Sequence, residues 1–297
     1  MAVLGIDNSD YSEEDCAFAL FRAKWPSGFR CPGCGHPKAY RIDTRRLPLY
    51  ECANCRKQTS LIVGTVLEGS RTPLTSWFRA IRLHASPEGI NALQLSTIIA
   101  VTYKTAWLMC HKIRHAMSRA EASLLLSGLV KVTTAIYCYQ ASTKHHFSWH
   151  DREQSVLVGV SEIHPGWYKR IKIKLQNKHA FHRKHDLPEA PQFIAQNVAA
   201  RARSSVVIMS LQKRNGDYRV TRIANEAQRR LGELYRGIGP KHLQAYLDQY
   251  CYERNWRGSS MLSNLLRHCA LTKTIIYRQL IARPSPVAAT PTAPIAA

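Results

Sequence analysis

Four of the nine cysteines in this 297-residue chain fall into two pairs of identical spacing. Cys31 and Cys34 lie in FRCPGCGH, and Cys52 and Cys55 in YECANCRK. Two CxxC turns separated by seventeen residues form the pattern of a structural Zn2+ site with four thiolate ligands. Each turn brings two sulfurs towards a common point, and Gly33 and Gly35 are expected to relieve the tight backbone. With all four positions filled by protein, such a zinc has no place for water and serves structure. Cys16, Cys110, Cys138, Cys251 and Cys269 show no pairing and are expected to be small buried hydrophobes. Cysteines this sparse do not make a secreted disulfide scaffold, so a reduced compartment is expected.

The elements that must hold this site follow from the surrounding pattern. Residues 1–30 predict an N-terminal helical segment and 31–60 the zinc ribbon, its hairpin strands lying within 39–51 with Tyr40 and Tyr50 as packing residues. Residues 70–118 predict a helical region. In PLTSWFRAIRLHAS, Thr75 or Ser76 can cap a helix buried through Trp77 and Ile81, and a second helix runs through Ile90, Leu93, Leu95 and Ile98. A third starts at Thr102 and repeats apolar residues at Ala106, Met109, Cys110, Ile113 and Met117, a helical period. Helix, short turn, basic amphipathic helix is the outline of a helix-turn-helix, which makes Lys104, Thr105, Lys112 and Arg114 candidate DNA contacts. A plain helical subdomain is the alternative. His111 and His115 are spaced i, i+4, but with no intervening acid and no third ligand they suit surface or phosphate contacts better than zinc.

Composition bounds the partners. With 42 Lys and Arg against 20 Asp and Glu, the net charge is +22, which points to a polyanion. Residues 1–30 are net negative, 31–118 carry twelve bases and four acids, and 119–297 carry 27 bases and eleven acids. Arg41, Arg45, Arg46, Arg56 and Lys57 surround the cysteines and favour nucleic acid over protein as the ribbon's partner. The run from His164 to His185 holds Lys169, Arg170, Lys172, Lys174, Lys178, Arg183 and Lys184 without an acid; a phosphate-tracking surface and a lysine-protected strand edge both suit it. No apolar run of membrane-spanning length occurs, and the acidic start does not suit an export signal, so a cytoplasmic, nucleoid-associated location is expected. Residues 283–297, RPSPVAATPTAPIAA, predict a disordered tail.

FRCPGCG, YECANCRKQTSLIVGTVLEGSRTPLTSWFRAI, ALQLSTIIAVTYKTAWLMCHKIRHAM and YRGIGPKHLQAYLDQYCYERNWR together resemble bacterial insertion-sequence transposases with an N-terminal zinc ribbon. The similarity runs from about residue 10 to about 258. It implies an α+β multidomain chain of small zinc ribbon, helix-turn-helix region and a mixed α/β, ribonuclease-H-like domain over 125–275. It also implies a DDE-type active site, in which acidic residues hold Mg2+ or Mn2+ for strand cleavage and transfer. The implied partner is double-stranded DNA at the element's terminal repeats, and such enzymes commonly act as homo-oligomers.

The strand-like runs 129–140, 154–161, 167–175 and 204–211, with helical runs near 190–202, 221–235, 240–252 and 259–270, suit such a domain. Its acids do not. The resemblance sets the first acid at Thr133, in VKVTT, and the second at Met209, in SSVVIMS. Near the third stand Asn225 and Glu226, either of which suits related proteins; Glu226 is equally a helix residue able to pair with Arg230. The family's Asp-Glu-Phe stands here as Asp248, Gln249 and Tyr250. A hydroxyl and a thioether are poor ligands for a hard dication. Cleavage is therefore expected to be lost or impaired, unless Asp151, Glu153, Glu162 or Asp217 stands in. The alternatives are a non-catalytic zinc-ribbon DNA-binding protein, a competitor of an active transposase, or a ribbon serving RNA or protein assembly.

Overall fold

The computed structural model describes residues 11–138, 149–177, 190–209, 218–257 and 260–282. Lys178, Arg183, Lys184, Asp217 and the tail 283–297 lie outside them. In chain order the elements are α1 (Glu13–Lys24), β1 (Ala39–Ile42), β2 (Leu49–Cys52), β3 (Gln58–Ser60), α2 (Leu74–Ala85), α3 (Ala92–Ile98) and α4 (Tyr103–Ser123). There follow β4 (Leu129–Cys138), β5 (Glu153–His164), β6 (Trp167–Gln176), α5 (Pro191–Asn197), a 3-10 turn (Ala200–Ser205) and β7 (Val206–Met209). The last helices are α6 (Tyr218–Tyr235), α7 (Pro240–Asn255), α8 (Met261–Leu271) and α9 (Tyr277–Ile281). The chain is mixed α+β, with a small ribbon, a helical layer and a second, larger sheet.

Two acids of the N-terminal segment, Asp15 and Glu13, act as helix caps. Ser12 accepts from the Asp15 backbone N–H at 3.1 Å, and Asp15 accepts in return from the Ser12 N–H, a capping box that starts α1. Glu13 reaches across to α2, where its Oε1 accepts from the Thr75 backbone N–H at 2.8 Å and from the Thr75 hydroxyl at 3.0 Å. The cap of α2 is therefore supplied by another helix, and neither Thr75 nor Ser76 caps it; Pro73 occupies the N-cap position. A carboxylate at a helix N-terminus also suits the helix dipole.

Helices α1, α2, α3, α4 and α8 share one apolar core with the ribbon, sealed by Leu20, Trp77, Ile81, Leu95, Ile113 and Leu265. The segment between β3 and α2 is drawn into it by Leu61, Val66 and Leu67. Lys24 ties that segment down, donating to the carbonyls of Leu61 at 3.0 Å and Val63 at 2.6 Å. Cys16, Cys110, Cys251 and Cys269 are buried, as expected of small hydrophobes, whereas Cys138 is only half-buried at the end of β4.

Helix α4 is not an amphipathic surface helix. Beyond its first two turns it is enclosed on nearly every side, and Lys112, Arg114 and Glu121 are buried with the apolar residues. Lys112 donates to the Glu68 carbonyl at 3.0 Å. Arg114, 1% exposed, donates to Gln249 Oε1 at 2.7 Å, and its guanidinium lies 4.0 Å from the Tyr246 ring centre and 5.1 Å from that of Tyr235. These partners, all supplied from distant parts of the chain, replace the water that a surface cation would keep.

The larger sheet has the order β6-β5-β4-β7, with β7 parallel to β4 and the other neighbours antiparallel. One face packs against α6 and α7 through Tyr137, Val158, Ile173, Ile223 and Leu247. The other meets α5 and the 3-10 turn through Val130, Val132, Leu157, Phe193 and Ala202. Edge strand β6 is covered by α7, whose Asn255 accepts from the Ile171 N–H and donates to the Ile171 carbonyl, while Gln244 does the same for Leu175 N–H and Ile173 carbonyl. Two side-chain amides thus occupy backbone groups that an exposed edge would leave open.

The basic run on β6 is largely consumed by this packing. Lys172, 2% exposed, donates to the Glu121 carbonyl. Lys174 pairs with Asp248 at 2.6 Å, and Asn255 donates to the Glu121 carboxylate at 2.8 Å. Lys172 and Lys174 are therefore helix–sheet contacts, and neither a phosphate-tracking surface nor a solvated edge describes them.

Buried titratable groups give the fold a pH dependence. Burial holds His84 and His111 neutral, with pKa values lowered to about 3, the Arg114 charge acting in the same direction. Between that value and about 6.5 the unfolded chain takes up protons that the folded chain refuses, so stability falls as pH falls. Glu121 opposes this, since burial raises its carboxyl to about 7 and the folded state keeps a proton that the unfolded state releases. Two imidazoles outweigh one carboxyl. Urea unfolding is expected to show lower stability at pH 5 than at pH 6.5, and a steeper fall in Glu121→Gln; equal stability at both pH values in both proteins would contradict these assignments.

Candidate metal centre and nucleic-acid interface

The Sγ atoms of Cys31, Cys34, Cys52 and Cys55 all lie within 4.8 Å of one another, with Cys31–Cys55 at 3.5 Å and Cys34–Cys52 at 3.6 Å. A tetrahedral zinc with Zn–S bonds of about 2.3 Å separates its sulfurs by about 3.8 Å. Donor chemistry and geometry therefore both fit a structural Zn2+.

Two equivalent turns present these sulfurs. In the first, the Gly35 N–H donates to the Cys31 carbonyl at 2.9 Å and the Cys31 N–H to the His36 carbonyl at 3.1 Å. In the second, Arg56 N–H bonds the Cys52 carbonyl at 3.1 Å and Cys52 N–H the Lys57 carbonyl at 3.0 Å. The residue after each second cysteine is left-handed, Gly35 at φ 74° and Arg56 at φ 58°. Glycine suits that conformation at no steric cost, whereas Arg56 carries a penalty of about 1 kcal/mol. Gly33 has a different role from the one expected of it: a Cβ there would come within 3.0 Å of the Lys57 side chain. Backbone N–H groups of Cys34 and Gly33 bring the Cys31 thiol down to about 6, whereas at Cys55 the Lys57 backbone N–H pulls down but the Cys34 and Cys31 thiols push the group up.

Three antiparallel strands, β1-β2-β3, carry the turns, and an aromatic cluster joins them to α1. Trp25 lies 5.1 Å from both Phe21 and Phe29 and 5.4 Å from Tyr50, ring centre to ring centre. Tyr50 is the packing tyrosine; Tyr40, expected to share that role, is 60% exposed. Of the five basic residues around the ribbon, Arg41 pairs with Asp43, Arg46 with Glu13 and Arg56 with Glu51. Arg45 and Lys57 are exposed, with no acidic partner among the described residues.

Helices α3 and α4 are joined by the turn 99–102, in which Ala100 is left-handed at φ 52°. Asn91 and Gln94 form the capping box of α3, and the Thr102 hydroxyl accepts from the Thr105 N–H at 3.3 Å to start α4. Of the four candidate DNA contacts, Lys104 is exposed in the first turn of α4 and Thr105 half-buried beside it. The Lys104 ammonium rests 5.4 Å from the Tyr277 ring centre. Lys112 and Arg114 are interior and are removed from that set. His111 is likewise buried, with ring centres 4.1 Å from Trp107 and 5.0 Å from His242, so it is not a surface contact.

Thr133 and Met209 are register partners across the parallel β4–β7 pair, and the Thr133 hydroxyl donates to the Met209 carbonyl at 3.2 Å. Both are buried, Met209 in the apolar layer beneath α6. Positions far apart in the chain thus meet at one point, but as a satisfied hydroxyl and a packed thioether. On α6, Gln228 accepts from the Cys138 N–H at the end of β4, and Asn225 is exposed one turn earlier. Glu226 points elsewhere, accepting from Arg254 of α7 at 3.1 Å, from Arg222 at 3.2 Å and from the Tyr250 hydroxyl at 3.4 Å. It pairs with these residues and not with Arg230. Nothing local in the sequence signals the Arg254 contact, 28 residues away.

Of the remaining described candidates, Glu162 and Glu153 hold structure. Glu162 accepts from Lys131 at 2.9 Å and from the Gly166 N–H at 2.9 Å, Glu153 accepts from the His150 N–H at 2.8 Å, and Asp151 lies in an exposed turn. Among the described residues, the four cysteines are the only group of three or more His, Cys, Asp or Glu placed to hold a metal.

Elemental analysis is expected to find one zinc per chain, and Cys34→Ser/Cys55→Ser to abolish it. Chelation is expected to red-shift Trp25 emission as its aromatic cluster opens while α4 and the larger sheet keep their circular dichroism; full zinc retention by the double variant would contradict the site.

Residues 11–58 match the transposase zinc-ribbon domain family, a span that takes in α1 and the metal turns. No curated protein and no solved structure matches the chain significantly. The N-terminal part of this chain is therefore similar to the zinc-ribbon domain of transposases.

Proposed function

We propose that this chain is a transposase-like protein that binds double-stranded DNA through its N-terminal half and does not cut it. The binding half of the proposal is supported by the transposase zinc-ribbon match and by the fit of the four thiolates to zinc. Arg45, Lys57 and Lys104 are exposed cations on the ribbon and the first turn of α4, and a short capped helix leading into a second is the outline by which helices enter a major groove.

The loss of chemistry rests on one observation, the Thr133–Met209 pair. Three antiparallel strands with a fourth returning parallel to the first suit a ribonuclease-H-like sheet, and adjacent positions on its parallel strands suit two ligands of one metal. The side chains do not fit that role. Mg2+ and Mn2+ demand charged or carbonyl oxygens, and a thioether within an apolar layer offers neither. A protein that retains recognition without cleavage would compete with an active relative for the terminal repeats.

Duplex DNA carrying the sequences that flank the gene is expected to bind at least tenfold more tightly than scrambled duplex. Lys104→Ala is expected to weaken binding and reduce the salt slope by about one. Equal affinity for both duplexes across salt would leave only nonspecific charge and overturn recognition of element ends.

A further inference from the structure

A cavity of about 380 Å³ opens between α6, the end of α7, the α2–α3 connection and the start of α8. Its wall carries four guanidinium groups, Arg229, Arg230, Arg254 and Arg257, against two carboxylates, Glu226 and Glu253. Both carboxylates are already engaged. Glu226 is held by Arg222, Arg254 and the Tyr250 hydroxyl, and Glu253 accepts from the Gln249 amide at 2.7 Å. Burial pushes the Glu253 carboxyl up, against the Gln249 amide and the charges of Arg230, Arg114 and Arg257, which pull it down. Arg230 is committed to the Pro87 carbonyl. That leaves Arg229 and Arg257, exposed at the cavity, with Arg257 near enough to Glu253 for its charge to act on that carboxyl.

With Arg254 paired to Glu226 and Arg230 to the Pro87 carbonyl, two exposed guanidiniums remain to meet an anion, and the planar fork of arginine matches the oxygens of a phosphate two at a time. Trp256, half-buried and packed against Tyr252 and His268, adds aromatic surface to the same wall, against which a heterocycle can lie, while Tyr250 is itself buried. The volume sits at the low end of ligand pockets, which run from about 300 to 1,000 Å³. A volume of that size suits a single small ligand and not a duplex.

We propose that this cavity binds one nucleotide unit, its phosphate held by Arg229 and Arg257 and its base placed against Trp256. The site is distinct from the surface proposed for duplex recognition, and it does not depend on that surface working. Its nucleotide comes either from a single-stranded DNA segment or from the free pool, and the two sources separate experimentally.

Zinc-loaded full-length protein would be titrated calorimetrically with deoxyadenosine monophosphate, with a 5′-phosphorylated single-stranded decamer, and with deoxyadenosine lacking phosphate. Saturable binding of one or both phosphate probes is expected, with none of the nucleoside. Arg229→Gln/Arg257→Gln is expected to weaken it at least tenfold while leaving zinc content, thermal unfolding and duplex affinity within twofold. The single variant Arg257→Gln is expected to give a smaller loss of the same kind, should the double variant fold poorly. Binding of the mononucleotide assigns the free pool, and binding of the decamer alone assigns single-stranded DNA. No saturable binding of either phosphate probe, or binding that survives both variants, overturns the site; a failure of duplex binding alone leaves it standing.

Discussion

The burial of Arg114 on α4 is the constraint around which the molecule is arranged. An unpaired guanidinium in a protein interior costs several kcal/mol, so its place in the core requires that Gln249, Tyr235 and Tyr246 come to meet it. Those residues lie on α6 and α7, the helices that cover the larger sheet, while the opposite sides of α4 hold Met109, Ile113 and Met117 in the core shared with the ribbon. One helix therefore belongs to both halves. Its first turn remains at the surface, with Lys104 exposed, and the stretch from Met109 to Met117 is a joint. A signal or a ligand that moved α4 would have to move both cores together.

From that joint outward, several charged side chains are used within the fold. Glu13 caps α2, Lys24 holds the segment after β3, Lys172 and Lys174 lock β6 to α4 and α7, and Glu226 is clasped by two arginines. The net charge of +22 is thus a poor measure of the DNA-facing surface. The exposed cations that remain for a polyanion include Arg45 and Lys57 on the ribbon, Lys104 on α4, Arg229 and Arg257 at the cavity between α6 and α7, and others such as Arg119, Lys169 and Arg267. The Thr133–Met209 contact belongs to the same economy, a hydroxyl bonded to a carbonyl and a thioether packed under α6 where metal-bound carboxylates would have required open, polar space.

The zinc site was legible because its chemistry is local: two CxxC turns and a glycine after the first are enough to specify four converging sulfurs. The strand and helix segments of the C-terminal half were legible for the same reason, since β-branched runs and the 3.6-residue period are short-range signals. What was not legible depended on partners distant in sequence. A helical wheel places Lys112 and Arg114 off the apolar stripe and hence at the surface, but the Glu68 carbonyl and Gln249 are waiting inside. Tyr40 and Tyr50 look equivalent in the hairpin, yet only Tyr50 faces the aromatic cluster of α1. Glu13 capping α2 could not be read from α2's own residues.

The most direct test of recognition without cleavage is a nicking assay on a supercoiled plasmid carrying the DNA that flanks the gene, with zinc-loaded protein and either Mg2+ or Mn2+. Protein shown to be bound to that plasmid is expected to leave it supercoiled, with no difference between metal and chelator. Strand breaks at the element ends that appear with the metal and vanish with the chelator would contradict the account, and would mean that carboxylates outside the Thr133–Met209 pair assemble a working site.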